Sequence, residues 1–238
     1  MKLTRLVGFV VITVVLIYSC QLNTIEGSGN VVSEKRIVEQ NFVNIEAGNG
    51  LDIEVEQGEE TAVVVMADDN LQKHIKTEIS NRTHKISSDF NSYRNVKMKK
   101  VFIKMPTIEK IKISSGARFT TKSDIICKAI DIQARSGSFI NAALEAEKTT
   151  CETSSGGTIQ IMGKSLELEC ASSSGSRIDA KKLMANNIIA SASSGSSMEV
   201  FPLVTINADA SSGGSINYHN DPKNVNKKST SGGSVTRQ

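Results

Sequence analysis

The chain contains no tryptophan, and only 4% of its 238 residues are aromatic. That scarcity argues against aromatic platforms on which nucleobases or sugar rings would stack. Charge of either sign is also without excess: 28 basic residues face 25 acidic ones. With no basic stripe along the chain, nucleic acid is excluded as a partner. Missing too are a GxSxG nucleophile elbow, an HExxH zinc motif and the calcium nonapeptide of β-rolls. The histidines, His74, His84 and His219, are scattered and sit near no cysteine motif, so they read as surface residues. The run Gly157 to Ser165 nearly spells a phosphate-binding loop. Thr158, however, stands where the first glycine is required, and no helical pattern follows Ser165. No metal or other cofactor is implied.

Acidic residues are absent from the start of the chain as well. Residues 1–19 carry Lys2 and Arg5, then the apolar run Leu6 to Tyr18. This reads as a signal peptide, too short for a stable membrane span. It ends in Ile17-Tyr18-Ser19-Cys20, which resembles the lipobox of bacterial lipoproteins, with Tyr18 bulkier than is usual at its position. The resemblance implies cleavage before Cys20, lipidation of its sulfur and acylation of the new amino terminus. Several acyl chains anchor where one cannot. Gln21, in place of an aspartate, implies the outer membrane as destination. Taking Lys2 and Arg5 from the 28 basic residues leaves 26 against 25 acidic in a mature chain of 219 residues. Residues 20–30 then form a lipidated polar tether.

What the chain does have is a repeat. A Ser-Gly pair recurs at Ser115-Gly116, Ser136-Gly137, Ser155-Gly156, Ser174-Gly175, Ser194-Gly195, Ser212-Gly213 and Ser231-Gly232, with serines 21, 19, 19, 20, 18 and 19 residues apart. A fixed period of this size marks a solenoid, in which each unit buries its apolar face only by stacking on its neighbours. Four residues after each serine stand Phe119, Ile140, Ile159, Ile178, Met198, Ile216 and Val235. Four before stand Ile111, Ile132, Cys151, Cys170, Ala190, Ala208 and Lys227, and two before come mostly small residues. The odd offsets are mostly polar, and five after lie Asn141, Gln160, Asp179, Glu199 and Asn217 among others. A spacing of two is the strand period, so each copy supplies two short strands separated by a corner at Ser-Gly. Glycine reaches positive φ there, and serine can bond freed backbone groups. About 19 residues is too short for a βαβ crossover, which needs roughly 30. The expected fold is therefore all-β: a parallel β-solenoid of about seven 19-residue turns over residues 107–238. A β-sandwich with hairpins every 8–12 residues competes but accounts less well for the single period.

Residues 31–106 lack the Ser-Gly corner and read as a β-rich capping part, since an open parallel edge invites aggregation. Alternation is clear in Leu51 to Val55 and in Ala62 to Met66, with a hairpin turn expected at Gln57-Gly58-Glu59-Glu60. Asn70 could cap one short helix with Leu71, Ile75 and Ile79 on a face. Strand-like segments follow at His84 to Ser88 and Val101 to Met105. At the far end, lysines in Asp221 to Gln238 would let the last turn cap itself.

The mature chain resembles the putative auto-transporter adhesin family with a head GIN domain, found among lipoproteins of Bacteroidota. The resemblance rests on Phe42-Val43-Asn44-Ile45 followed by Gly48-Asn49-Gly50 and Leu51 to Val55. It continues in Val101 to Pro106, in Ile108 to Ile111 with Ser114-Ser115-Gly116, and in the recurring corners. It covers about residues 37–235. It implies an exported β-solenoid without assigned catalytic residues, and "adhesin" brings no site to carry over.

The functional expectation is a lipid-anchored envelope module, non-catalytic, that meets a glycan or an envelope protein through its polar faces or serves a structural role. The hydroxyl strip at the corners and the Asn141–Gln160–Asp179–Glu199–Asn217 ladder are its candidate surfaces. Two alternatives stay open: an accessory subunit of another envelope protein, or a carbohydrate-active enzyme using Asp179 and Glu199. Those two occupy one outward column in adjacent turns, so their backbones should lie about 5 Å apart, near the carboxyl separation of a retaining glycosidase. Cys151 and Cys170 share an inward column, close enough for a disulfide, but strand stacking favours two buried thiols. Cys127 lies in another register and should be free.

Overall fold

The computed structural model describes residues 23–238; the signal-peptide reading of residues 1–19 and the lipidation site at Cys20 fall outside them. The first half of the fold contains β1 (Thr24–Glu26), β2 (Val31–Arg36), β3 (Asn44–Ala47), β4 (Asp52–Gln57), β5 (Ala62–Asp68), a 3-10 turn (Asp69–His74), β6 (Ile75–Ser80), β7 (Thr83–Ser88), β8 (Ser92–Arg94) and β9 (Lys99–Met105). The second contains β10 (Lys110–Ile113), β11 (Arg118–Thr121), β12 (Ile125–Arg135), β13 (Phe139–Ser154), β14 (Thr158–Ser172), β15 (Arg177–Ala192), β16 (Ser197–Ala210), β17 (Ser215–Tyr218), β18 (Asn224–Ser229) and β19 (Ser234–Arg237).

From β10 onward every ladder is parallel, and the columns read from the repeat are the observed pairs. Ile111 pairs with Ile132, then Cys151, Cys170, Ala190, Ala208 and Lys227 in successive coils. Phe119 pairs likewise with Ile140, Ile159, Ile178, Met198, Ile216 and Val235. Phe119 through Ile216 in that column are wholly buried. Burying each such side chain favours folding by about 1.5–3 kcal/mol, and each contributes to two coil–coil contacts at once.

Each corner is a tight turn whose two central residues both have positive φ: 51° and 70° at Ser115-Gly116, 52° and 73° at Ser155-Gly156. Serine as well as glycine is therefore left-handed, at all seven corners. Main-chain bonds hold the turn, rather than the serine hydroxyl expected to do so. Ala117 N–H donates to the Ser114 carbonyl at 3.1 Å within the turn, and Gly116 N–H donates to the Ser136 carbonyl of the next coil at 3.1 Å. The same inter-coil bond recurs from Gly137 to Ser155, Gly156 to Ser174, Gly175 to Ser194, Gly195 to Ser212 and Gly213 to Ser231. This ladder offsets the strain of a left-handed serine, about 1–2 kcal/mol per residue.

The opposite side of each coil has no such turn. The strands of coils 139–154, 158–172, 177–192 and 197–210 run through it as a rounded edge. Length differences between copies are absorbed there, by register shifts at Gln160/Met162, Ala180/Met184 and Ala185/Asn187.

The stacking does not begin at β10. Asn49 and Gly50 form the same turn, with φ of 57° and 67°, and Gly50 N–H donates to the Ser115 carbonyl at 2.9 Å. β3 and β4 stack in parallel on β10 and β11. On their other side lie β7 and β9, also parallel, although they follow in sequence. Antiparallel partners then finish this end: β6 on β7, and β5 on β9 with β2 beyond. The hairpin expected at residues 57–60 is not formed, because β9 lies between β4 and β5. The expected short helix is confined to the 3-10 turn, and Ile75 begins a strand. A spacing of four, as between Ile75 and Ile79, satisfies the strand period as well as the helical one, and β-branching decided between them.

Two buried groups tie this cap together. The Asp68 carboxylate accepts N–H bonds from Gly29, Lys97 and Met98 at 2.9–3.3 Å. Burial pushes its pKa up, but those three donors outweigh it, and the carboxyl titrates below its ordinary range. His84 is no surface residue: it is 2% exposed, with its ring 4.7 Å from that of Phe42. Burial alone lowers its pKa to about 4, so it is a neutral core residue. At the other end β18 is exposed throughout. Lys227, in the inward column, places its ammonium 4.6 Å from the Tyr218 ring centroid, and Lys228 pairs with Asp209 at 3.4 Å. Cations on an open edge discourage further strand addition.

Candidate functional site

The polar ladder expected from the repeat is a continuous column on the face that follows the corner. Thr120, Asn141, Gln160, Asp179, Glu199, Asn217 and Thr236 are direct cross-strand partners in that order. Glu54 extends it into the Asn49-Gly50 coil. Because the backbone beneath is paired on both sides, these side chains stand at one-strand intervals of about 4.8 Å on a stiff support.

Within the column the charges are already matched. Glu54 is held by Lys100 and Lys122, each at 2.9 Å, and Lys122 followed by Lys100 lowers its pKa against the opposing effect of burial. Glu199 accepts from Asn217 Nδ2 at 3.1 Å and lies 2.5 Å from His219 Nε2. Burial raises the Glu199 pKa, yet the bonds from His219 and Asn217 prevail, and the net direction is down. Asp179 lies 3.6 Å from Lys181. The Asp179–Glu199 pair is thus adjacent, as expected, but Glu199 is held as the anion. A glycosidase acid needs the reverse shift. Among the described residues no cluster of three or more His, Cys, Asp or Glu side chains could hold a metal ion.

His219 was missed at this site. The sequence held the signal: seven residues after the Ser212 corner, it shares the outward period-two face with Asn217. The corner serines form an exposed ridge, as the repeat implied, and the outward column before the corner adds Ser114, Ser154, Ser173, Ser193 and Ser211. Inside the same corner lies a buried hydroxyl cluster that periodicity did not reveal. Thr153 Oγ1, Ser172 Oγ and Ser176 Oγ are linked at 2.9 Å, and Ser196 Oγ donates to the Ser172 carbonyl at 2.8 Å. Every member has a partner, so the cluster adds order rather than an unpaired polar group.

The three described cysteines are free: Cys127 half-buried, Cys151 and Cys170 buried neighbours in register. The Cys170 hydrogen bond and burial push the Cys151 thiol well above its ordinary pKa, and burial also raises Cys127. Raised in this way, neither the Cys127 nor the Cys151 thiol is activated as a nucleophile.

Among the described residues no helix is long and apolar enough to cross a membrane. The family described as "putative auto-transporter adhesin, head GIN domain" matches residues 41–222. Three solved structures share the fold. A putative adhesin from Bacteroides fragilis is 20% identical, with a TM-score of 0.82 over 90% of this chain and 100% of its own. A putative adhesin from Parabacteroides merdae is 19% identical, with a TM-score of 0.71 over 90% of this chain and 99% of its own. A putative lipid binding protein from Parabacteroides distasonis is 20% identical, with a TM-score of 0.67 over 91% and 100%. No match was found among curated protein sequences.

Proposed function

We propose that this chain, which belongs to the putative auto-transporter adhesin, head GIN domain family, is a lipid-anchored, non-catalytic module of the outer membrane that binds an extended partner through its polar faces. The observation that carries the reading is the column from Asn141 to Asn217. It presents amide and carboxylate groups at a fixed interval on a backbone with no slack. A repeating partner such as a glycan can meet many of these groups with weak hydrogen bonds, and their sum gives avidity without any single strong site. Anchoring through Cys20 would hold that surface at the envelope. The carbohydrate-active alternative is less well supported, since Glu199 is hydrogen-bonded to Asn217 and His219 and its pKa shift runs the wrong way for an acid.

The test has two parts. Glycan and envelope-protein binding is measured with the full chain and with a Gln160→Ala/Asn217→Ala variant; the reading expects loss of most binding at unchanged stability. Equal binding by both would remove the ladder from the account. Labelling of cells with a radioactive fatty acid should mark the wild-type chain and leave Cys20→Ala unlabelled. Label retained in that variant would refute the anchor.

A further inference from the structure

The last coil of the described residues ends on an unfilled hydrogen-bond ladder. Thr230 and Ser234 donate their N–H groups back to the Ala210 and Gly214 carbonyls. Successive residues of a parallel ladder bond to opposite neighbours. The N–H and C=O groups of Val225, Lys227 and Ser229 in β18, and of Val235 and Arg237 in β19, therefore point out of the end. Gly232 N–H points the same way: at each earlier Ser-Gly corner the equivalent group donates to the serine carbonyl of the next coil. Among the described residues no strand pairs with β18 beyond β16, or with β19 beyond β17.

The side chains around this edge select what completes it. Residues 221–238 carry Lys223, Lys227, Lys228 and Arg237 against Asp221 alone. Arg237 is paired with Asp221 at 2.7 Å and Lys228 with Asp209 at 3.4 Å. Lys227 has no such partner; it occupies an inward column above Ala208, with its ammonium against the Tyr218 ring. Two last coils laid edge to edge would bring these cations together, which opposes a second copy. Nor is the other end of the solenoid anionic, since β2 and β6 hold Lys35, Arg36 and Lys76 beside Glu34 and Glu78. The lysines that oppose a like-charged strand favour an acidic one. An anionic polysaccharide would accept from the N–H groups and leave the carbonyls between them unpaired. An extended peptide supplies donors and acceptors alternately, as the edge requires. Continued in register, its side chains would be apolar opposite Val225, acidic opposite Lys227 and Lys228, and small opposite Ser229.

We infer that the β18 edge takes up an acidic extended strand of a partner protein, added in parallel as one further rung of the sheet. This edge is separate from the polar ladder and does not depend on it. The probe is an acetylated heptapeptide of sequence TVTEEST, which follows that pattern, titrated into the isotope-labelled protein and read by nuclear magnetic resonance. Amide signals of Val225, Lys227 and Ser229 should shift, and the shifts should weaken as salt screens the charges. Lys227→Glu should lower the affinity about tenfold, since an attraction becomes a repulsion. A peptide whose first glutamate is lysine should bind wild type poorly and recover on Lys227→Glu, which separates charge pairing from any loss of fold. Ser229→Pro deletes one outward N–H on an edge strand and leaves the inward ladder intact, so it should abolish binding while signals from residues 110–200 stay in place. Binding retained by Ser229→Pro would mean a purely ionic contact and overturn the inference. So would equal binding of both peptides by wild type, or shifts confined to Lys35 and Lys76. Edge signals that shift on concentrating the protein alone would make a second copy the occupant, and overturn it too.

Discussion

Replacing Ile159 by alanine tests how the coils hold one another. Ile159 is wholly buried and stands between Ile140 and Ile178. The substitution removes three carbons from a column with no side-chain freedom to collapse into the gap, so the cost should reach about 2–5 kcal/mol. Because the contacts are with the coils above and below, Ile159→Ala and Ile178→Ala share an interface, and their effects should be non-additive. Val235→Ala, at the last coil, has one neighbouring coil and partial exposure, and should cost under half as much. Ile189→Ala, outward-facing and 56% exposed, should change stability by no more than about 0.5 kcal/mol. Urea unfolding followed by circular dichroism measures all four. Equal losses for Ile159→Ala and Ile189→Ala would refute the assignment of faces, and strict additivity of Ile159 with Ile178 would refute the shared interface.

Further outcomes follow from single groups. Gly163 has φ of 117°, and a Cβ there would lie 2.0 Å from the Leu144 carbonyl oxygen; Gly163→Ala should destabilise by about 2–4 kcal/mol in the same assay. Asp68→Ala removes the shared acceptor of the Gly29, Lys97 and Met98 N–H groups and should cost about 1–3 kcal/mol, seen as early loss of protection in β5 and β9 by hydrogen exchange. His84 has a folded pKa of about 4 against about 6.5 unfolded, so the unfolded chain takes up the proton first. Stability should be complete above about pH 6.5 and fall by about 3 kcal/mol as pH drops to about 4, and His84→Leu should remove that slope. Thiol titration should find Cys127 reacting first in native protein, with Cys151 and Cys170 reacting only on unfolding; early reaction of the buried pair would contradict their placement.

Much of the fold was legible because a solenoid repeats its own evidence. Seven copies of one corner fix the register, and period-two spacing then assigns the residues flanking that corner to the inside or the outside. Phe119 to Ile216 and the Asn141 to Asn217 ladder were both readable in that way. Where the repeat lapses, so did the reading. Asn49-Gly50 makes the same left-handed pair as Ser-Gly because asparagine tolerates that region as well, yet a search for Ser-Gly passes over it. The placement of β9 between β4 and β5 depends on contacts over some fifty residues that no local pattern records. His84 looked solvated because a lone histidine carries no sign of the strand face it occupies until its partners, Ile45 and Ile79, are known. At the rounded edge, where coil lengths vary, the alignment on serine loses register.

The parallel, in-register stack is the premise beneath the polar ladder, and a molecular ruler tests it directly. Arg118 pairs in succession with Phe139, Thr158, Arg177, Ser197, Ser215 and Ser234. Spin labels at Arg118 and Ser197, and at Arg118 and Ser234, in a chain whose own cysteines are replaced, report the two spans by pulsed dipolar spectroscopy. Four and six strand steps give separations near 19 Å and 29 Å between backbones, a difference of about 10 Å that the label tethers leave unchanged. Equal distances, or a longer one for the nearer pair, would mean that the chain folds back on itself and that no such stack exists.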